Sequence, residues 1–477
     1  MRNVPAKVDH MNIAVIGSGP CGAVAALKLL RSGHNVTMLD IGQKVNMDSQ
    51  LNSNSKNFPG NSVKGAPEYY DFDEFNKYHL QNGSRNWYTS KAEGGFSSVW
   101  GATWETQNTI LGPNWADAYK EADQLVFGEI MELASSQHFG PRIKQGAVCI
   151  CFEDVLKRLG SNEFQPNLEL TYRIPELAVS ASRCDFNGNC IVHCANKAIW
   201  NSKILLLACK TYKTFVYSPG SFVTSLYDST FGVEVLTEKY ERSFDACVLA
   251  AGPIANASLI LRSKLKNQID LGDTRIVAMV FVRLRKPKKH LGEFSLAGLS
   301  LNMKAGSYFQ FPTHIQLYSH ANRFIDRIKN LIPKPFRMLF LKLFQGLSRY
   351  VVFGLMYTDE KDSTSLRLTG VGITQVEYVK NSRATKALIS QYVFLLKNYK
   401  KTGLIPLPIM KLGHPGDSYH VGNAKNNAVD DYGVLTGHPN ILVAGSFSLP
   451  RLFGGAITRS AMAQTVRMVD RFQTLRS

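Results

Sequence analysis

Gly17, Gly19 and Gly22 stand in the spacing G-x-G-x-x-G, and Asp40 follows downstream. A glycine at the first position permits a tight turn. One at the second lets a phosphate approach the backbone, and one at the third lets a helix pack closely on a sheet. An acid about 20 residues further on can accept hydrogen bonds from ribose hydroxyls. These residue types describe a cradle for the pyrophosphate and ribose of a dinucleotide. Far along the chain, His414 and His420 share one polar loop, HPGDSYHVG. An imidazole titrates near neutral pH, which suits it to remove a hydroxyl proton.

The elements that must hold the glycines are legible on either side of them. Asn12 to Ile16 (NIAVI) has the length and composition of a buried strand. Ala23 to Leu30 (AVAALKLL) reads as a helix ended by Gly33, and Asn35 to Leu39 (NVTML) as a second strand closed by Asp40. In this βαβ order the helix N-terminus aims its free N–H groups and positive dipole end at a phosphate. Residues 45–85 are polar and read as a surface excursion. Lys91 to Thr103 is a second glycine-rich loop. Phe244 to Ala251 (FDACVLAA) reads as a buried strand, followed by Gly252-Pro253 and a helix from Ala255 to Leu261. Residues 266–320 have strand-like segments, and a helix runs after Tyr378 to Tyr399. The C-terminal block gives a strand, Ile441 to Ala444, then a turn and a long final helix.

The chain of 477 residues is too long for one small domain. With 44% apolar and 19% charged residues it has a globular composition, which excludes general disorder. Lys+Arg exceed Asp+Glu by 55 − 37, a net +18, which favours acidic partners such as an anionic membrane surface or phosphorylated substrates. No nucleic-acid motif accompanies that charge, so nucleic acid is not expected. The N-terminus lacks the pattern of a signal peptide, and no apolar run is long enough for a spanning helix. Eight cysteines without a secretion signal read as reduced thiols, and the expected location is the cytoplasm. Residues 322–350 carry seven Lys/Arg and one Asp, a net +6, with apolar residues at spacings of three and four around Pro333 and Pro335. Two short basic amphipathic helices are expected, able either to lie peripherally on the inner face of an anionic membrane or to cover a domain.

Four separated blocks resemble the glucose–methanol–choline (GMC) oxidoreductases, which are FAD enzymes. They are the N-terminal βαβ unit ending in LDIG, the loop EGGFSSVWG from Glu93 to Gly101, the strand-to-glycine turn VLAAG from Val248 to Gly252, and the stretch from His414 to Asp470. The order and spacing are similar to a compact bacterial branch of the family. The resemblance implies an α/β fold: an FAD-binding Rossmann-like, GMC-type domain with a discontinuous α+β substrate domain. Residues 10–110, 195–265 and 410–477 would form the first, and 111–194 and 266–409 the substrate or cap domain. Carried over residue by residue, Gly17, Gly19, Gly22 and Asp40 would hold the adenosine half of FAD. Gly94, Gly95, Ser98, Ala251, Gly252, Gly445 and Ser446 would lie along the remainder. His420 matches the family's active-site histidine, with His414 as the second choice.

The chain departs from the family in two places. GMC enzymes pair the first histidine with a His or Asn after the last flavin strand. Here that stretch is Gly454-Gly455-Ala456-Ile457-Thr458, and Thr458 is its one candidate hydrogen-bonding side chain. The family acid before Ser446 is replaced by Gly445. Cys184, Cys190 and Cys194 fill three positions of a C-x2-C-x2-C-x3-C pattern whose second position is Asn187. Four thiolates at that spacing suit an iron–sulfur cluster. With one missing, the segment reads as a loop with half-buried thiols, and no metal is assigned.

The implied activity is FAD-dependent oxidation of a CH–OH group by hydride transfer, on a sugar or a lipid-linked glycan as in carbohydrate biosynthesis, with an unspecified electron acceptor. Two alternatives stay open: flavin-dependent reduction of a lipid-like substrate, and a catalytically impaired flavin-binding scaffold.

Overall fold

The computed structural model describes residues 10–42, 80–81, 90–98, 100–105, 111–128, 132, 152–160, 169–186, 190, 194, 196–274, 276–285, 296–303, 313–319, 333–339, 342, 350–357, 365–369, 374–379, 383–412, 421–424 and 428–476. Its first sheet has six strands in the order Val434–Leu435, His438–Val443, Ala246–Leu249, Asn12–Ile16, Asn35–Asp40, Phe215–Pro219. The five longer strands are parallel, and Val434–Leu435 pairs antiparallel at the edge. Ile13 to Val15 are fully buried, which fits a strand covered on both faces and explains why its apolar residues run without alternation.

One face carries the helices Pro20–Arg31, Lys203–Cys209, Ala116–Phe127 and Thr458–Arg476. Pro20 starts the first of them, where a missing N–H costs nothing. Its inward side is made of alanines, with Ala23, Ala25 and Ala26 at 0% exposure, so the helix lies close to the sheet. The other face carries the helix Pro253–Arg262 and a three-stranded sheet, Val223–Ser229, Gly232–Thr237 and Glu241–Phe244.

A second six-stranded sheet is antiparallel: Leu404–Leu412, Ile276–Arg283, Val351–Tyr357, Thr313–Tyr318, Leu299–Met303, Leu170–Arg173. It packs with Phe152, Val155, Leu159 and the helix Arg383–Lys397 in a core of its own. A five-stranded sheet places Gln268–Asp273 between Val421–Ala424 and Ser365–Thr369, with Thr374–Val379 and Leu80–Gln81 beyond. Of the basic segment 322–350, residues 333–339, 342 and 350 are described. Phe336, Met338 and Leu339 there are 60%, 68% and 59% exposed. Among the described residues no helix is long and apolar enough to cross a membrane.

Candidate active site

A cavity of about 490 Å³ opens at the carboxyl ends of the parallel strands. That volume lies in the range of small-molecule and cofactor sites, and the carboxyl edge is where open α/β sheets bind ligands. Gly17 starts the cradle with φ +104°, and a side chain there would meet Ala250 O at 2.7 Å. Gly22 sits behind it, where an added Cβ would lie 1.9 Å from Gly17 O. Gly19 differs: it lines the cavity, and a Cβ there would have no atom within 4 Å. The first glycine and the third are thus filled by protein, while the second faces open space at the N-terminus of helix Pro20–Arg31.

The second glycine-rich loop is tied to this turn. Gly94 N–H donates to Ser18 Oγ at 2.9 Å, and Ser202 Oγ lies 3.0 Å from both Ser18 O and Gly94 O. Ser97 Oγ donates to Gly94 O at 2.6 Å. Behind the loop Trp100 meets Trp104 and Trp200 edge-on at centroid distances of 6.4 and 6.0 Å, and Trp104 and Trp200 lie tilted at 6.5 Å. Such pairs contribute about 0.5–1.5 kcal/mol each beyond their burial. Trp100 also donates to Trp200 O at 2.8 Å and lines the cavity.

At the far end of the cavity Asp40 closes the second strand. Its Oδ2 accepts from Ser18 Oγ and, at 3.0 Å, from Tyr217 OH on the neighbouring parallel strand. Burial pushes the Asp40 carboxyl up to about 6, against the pull of those two hydroxyls. Arg262 lines the same end, and burial lowers it to about 10. Its Nε has no hydrogen-bond partner among the described residues.

Gly95, Ala251, Gly252, Gly445, Ser446 and Thr458 line the cavity as well. Ser446 Oγ donates to Val421 O at 2.8 Å, and Thr458 opens the helix Thr458–Arg476. Gly94 and Ser98 lie in the loop that forms the wall, with Ser98 Oγ donating to Glu93 O at 3.1 Å. His414 and His420 fall outside the described residues. Cys184, Cys190 and Cys194 pack against the first core, and among the described residues no group of three or more His, Cys, Asp or Glu side chains is placed to hold a metal.

No family model and no curated protein sequence matches the chain. Among solved structures, the crystal structure of pyridoxine 4-oxidase from Mesorbium loti is similar over 97% of this chain and 99% of that one, with a TM-score of 0.62 at 14% identity. The chain has the fold of that oxidase. The likeness covers nearly the whole chain, so both large sheets fall within the shared fold.

Sequence reading missed several residues of this site. Tyr217 and Ser18 reach Asp40, Arg262 lines the cavity, and Ser202 pins the two glycine loops together. None carries a motif, and each is brought in by strand pairing or by a hydroxyl in an ordinary-looking position. A buried pair, His314 and Glu105, was also missed. His314 Nε2 lies 3.1 Å from Glu105 Oε2, their side chains 6% and 7% exposed.

Proposed function

We propose that the protein is an FAD-dependent oxidoreductase of the GMC family that oxidises a CH–OH group. The observation that carries this is the open space at Gly19 in a cavity bounded by Asp40 at one end and by Thr458 at a helix start, in the fold of an oxidase. The donor set fits the cofactor. Backbone N–H groups at Gly19 and the start of helix Pro20–Arg31 suit a pyrophosphate, and the Asp40 carboxylate suits ribose hydroxyls. Arg262 brings an unsatisfied, buried donor to the same end. When bound, FAD would accept the hydride released from the alcohol carbon.

The chain's own residues would do the rest. The glycine loop 94–98 and the tryptophans behind it would shape the wall of the cavity. His420 is proposed as the base that takes the hydroxyl proton, with His414 in reserve. The substrate is proposed to be a sugar or lipid-linked glycan hydroxyl. Support for contact with an anionic membrane comes from Phe336, Met338 and Leu339, all exposed beside the exposed Lys334 and Lys342. The net charge of +6 over 322–350 fits such a surface.

The cofactor reading is tested by releasing whatever the purified protein holds and separating FAD from FMN by chromatography. FAD at close to one per chain is expected. FMN alone, or no flavin after growth with riboflavin, would overturn the reading.

A further inference from the structure

The helix Arg383–Lys397 packs one side on the antiparallel sheet: Leu388 and Leu395 belong to its core, and Gln391 between them is buried. Those positions recur at spacings of three and four, as one face of a helix requires. A second apolar stripe runs along the same helix. Ile389, Val393 and Leu396, at i, i+4 and i+7, are 58%, 39% and 41% exposed. A single apolar side chain at a surface is ordinary, whereas three aligned on one helix form a patch. Over residues 383–402 the chain has five Lys/Arg and no Asp or Glu. Lys397, Lys400 and Lys401 are exposed at and just past the helix's carboxyl end. An apolar helical stripe beside cations, with no acid among them, is the pattern of a helix that lies in a membrane interface.

Strand register brings further groups to that end of the sheet. Arg283 pairs with Leu404, the first strand residue after the helix, while Val282 pairs with Val351 and Phe353 with Tyr318. Leu284 is exposed and donates its N–H to Gly403 O at 2.9 Å, and Arg285 beside it is exposed as well. The chain leaves the sheet at Tyr318 and re-enters it at Val351. The basic segment 322–350, with its exposed Phe336, Met338 and Leu339, is therefore tethered to this same end. The neighbouring helix Glu153–Leu159 reaches it through Arg158, whose Nη1 donates to Lys400 O at 3.3 Å. The two acids of that helix are taken up locally: Asp154 by Arg283 at 3.3 Å and Glu153 by Lys157 at 2.6 Å.

We propose that the helix Arg383–Lys397, together with Leu284, Lys400 and Lys401, docks on an anionic lipid bilayer. The apolar stripe lies at the boundary of headgroups and acyl chains, and the lysines reach the lipid phosphates. A second copy of this chain suits the face less well. A two-fold contact through it would set five cations against five like charges with no acid between them. A nucleic acid would leave the apolar stripe without a partner. The proposal adds a second element to the membrane contact of 322–350 and rests on that reading for the choice of surface. It does not depend on the oxidoreductase reading.

The test is cosedimentation of the flavin-loaded full chain, at low salt, with vesicles of phosphatidylcholine alone or mixed with phosphatidylglycerol. The wild type should bind the mixed vesicles and not the neutral ones. An apolar variant, Val393→Ser with Leu396→Ser, should bind about 10-fold more weakly. A lysine variant, Lys397→Gln with Lys400→Gln and Lys401→Gln, should bind about 10²-fold more weakly, at roughly fivefold per charge. Both should keep the wild-type melting temperature, because the changed side chains are exposed. A lowered melting temperature in the apolar variant would place its stripe in the core, and the lysine variant then decides. Binding unchanged in both variants but lost in Phe336→Ser with Leu339→Ser would overturn this proposal and leave the contact of 322–350 standing. The reverse pattern would remove 322–350 and keep the helix. Wild-type protein that binds neither vesicle would overturn both. A wild-type dimer that the apolar variant splits in analytical ultracentrifugation, with vesicle binding unchanged, would assign the face to a second copy and overturn the proposal.

Discussion

Gly19 and Gly22 sit three residues apart, and a single methyl group should have opposite consequences at the two. At Gly22 an added Cβ would lie 1.9 Å from Gly17 O and 3.2 Å from the Ala250 side chain. Ordinary contact needs about 3.4 Å or more, so turn and helix must part by roughly 1.5 Å. Overpacking of this kind costs about 1–3 kcal/mol. At about 2–4 °C per kcal/mol for a domain of this size, Gly22→Ala should lower the melting temperature of the flavin-free protein by roughly 2–12 °C. At Gly19 the same methyl meets nothing within 4 Å, and the backbone there has φ −60°, which alanine adopts freely. Gly19→Ala should leave flavin-free stability within about 0.5 kcal/mol of wild type. The methyl would instead occupy the space assigned to a pyrophosphate, and a loss of about 1.4–2.8 kcal/mol of binding corresponds to a 10- to 100-fold weaker complex. The assay pairs thermal unfolding of flavin-free protein with FAD titration by fluorescence quenching. A Gly19→Ala protein that binds FAD as the wild type does, or a Gly22→Ala protein of unchanged stability, would refute the reasoning.

The remaining predictions concern charge, base and surface. Because Asp40 holds its proton more tightly folded than unfolded, flavin-free stability should fall as pH rises from about 4 through about 6; Asp40→Asn should abolish that slope in urea titrations. His420→Ala should keep the flavin spectrum and slow flavin reduction by about 10²–10⁴-fold, with His414→Ala costing less; equal small losses in stopped-flow traces would place the base elsewhere. The flavin-loaded protein should cosediment with anionic vesicles at low salt and be released at high salt. The double change Phe336→Ser and Leu339→Ser should weaken that binding without lowering the melting temperature, because both side chains are exposed.

The parts of the fold that could be read from sequence are local ones. The run NIAVI, the glycine turn, the alanine-rich helix and NVTMLD lie in one stretch, and each announces its neighbour through strand length and glycine spacing. The strand Ala246–Leu249 was also visible, as a short apolar run ended by Gly252. Its two partners, Ile13–Ile16 and Ile441–Val443, read as strands as well, but only the family resemblance put the three in one domain, because they come from opposite ends of the chain with no local signal of their pairing. The same distance hid Tyr217, which reaches Asp40 only because Phe215–Pro219 pairs with the second strand. His314 and Glu105 stand in unrelated segments with no motif between them. Their meeting depends on the register that sets His314 opposite Asn302 and Tyr357. Hydroxyl side chains such as Ser18, Ser97 and Ser202 are common in any loop, so their joint work at the second glycine loop had no compositional signal.

The most direct test of the account is an anaerobic titration of the purified, flavin-loaded protein with pyridoxine and a set of sugar and primary alcohols, followed by the visible flavin absorbance. The account predicts a bound FAD whose absorbance bleaches with at least one alcohol while the corresponding carbonyl compound appears in equal amount. A protein that holds no FAD, or whose FAD is reduced by dithionite but by none of the alcohols, would contradict it.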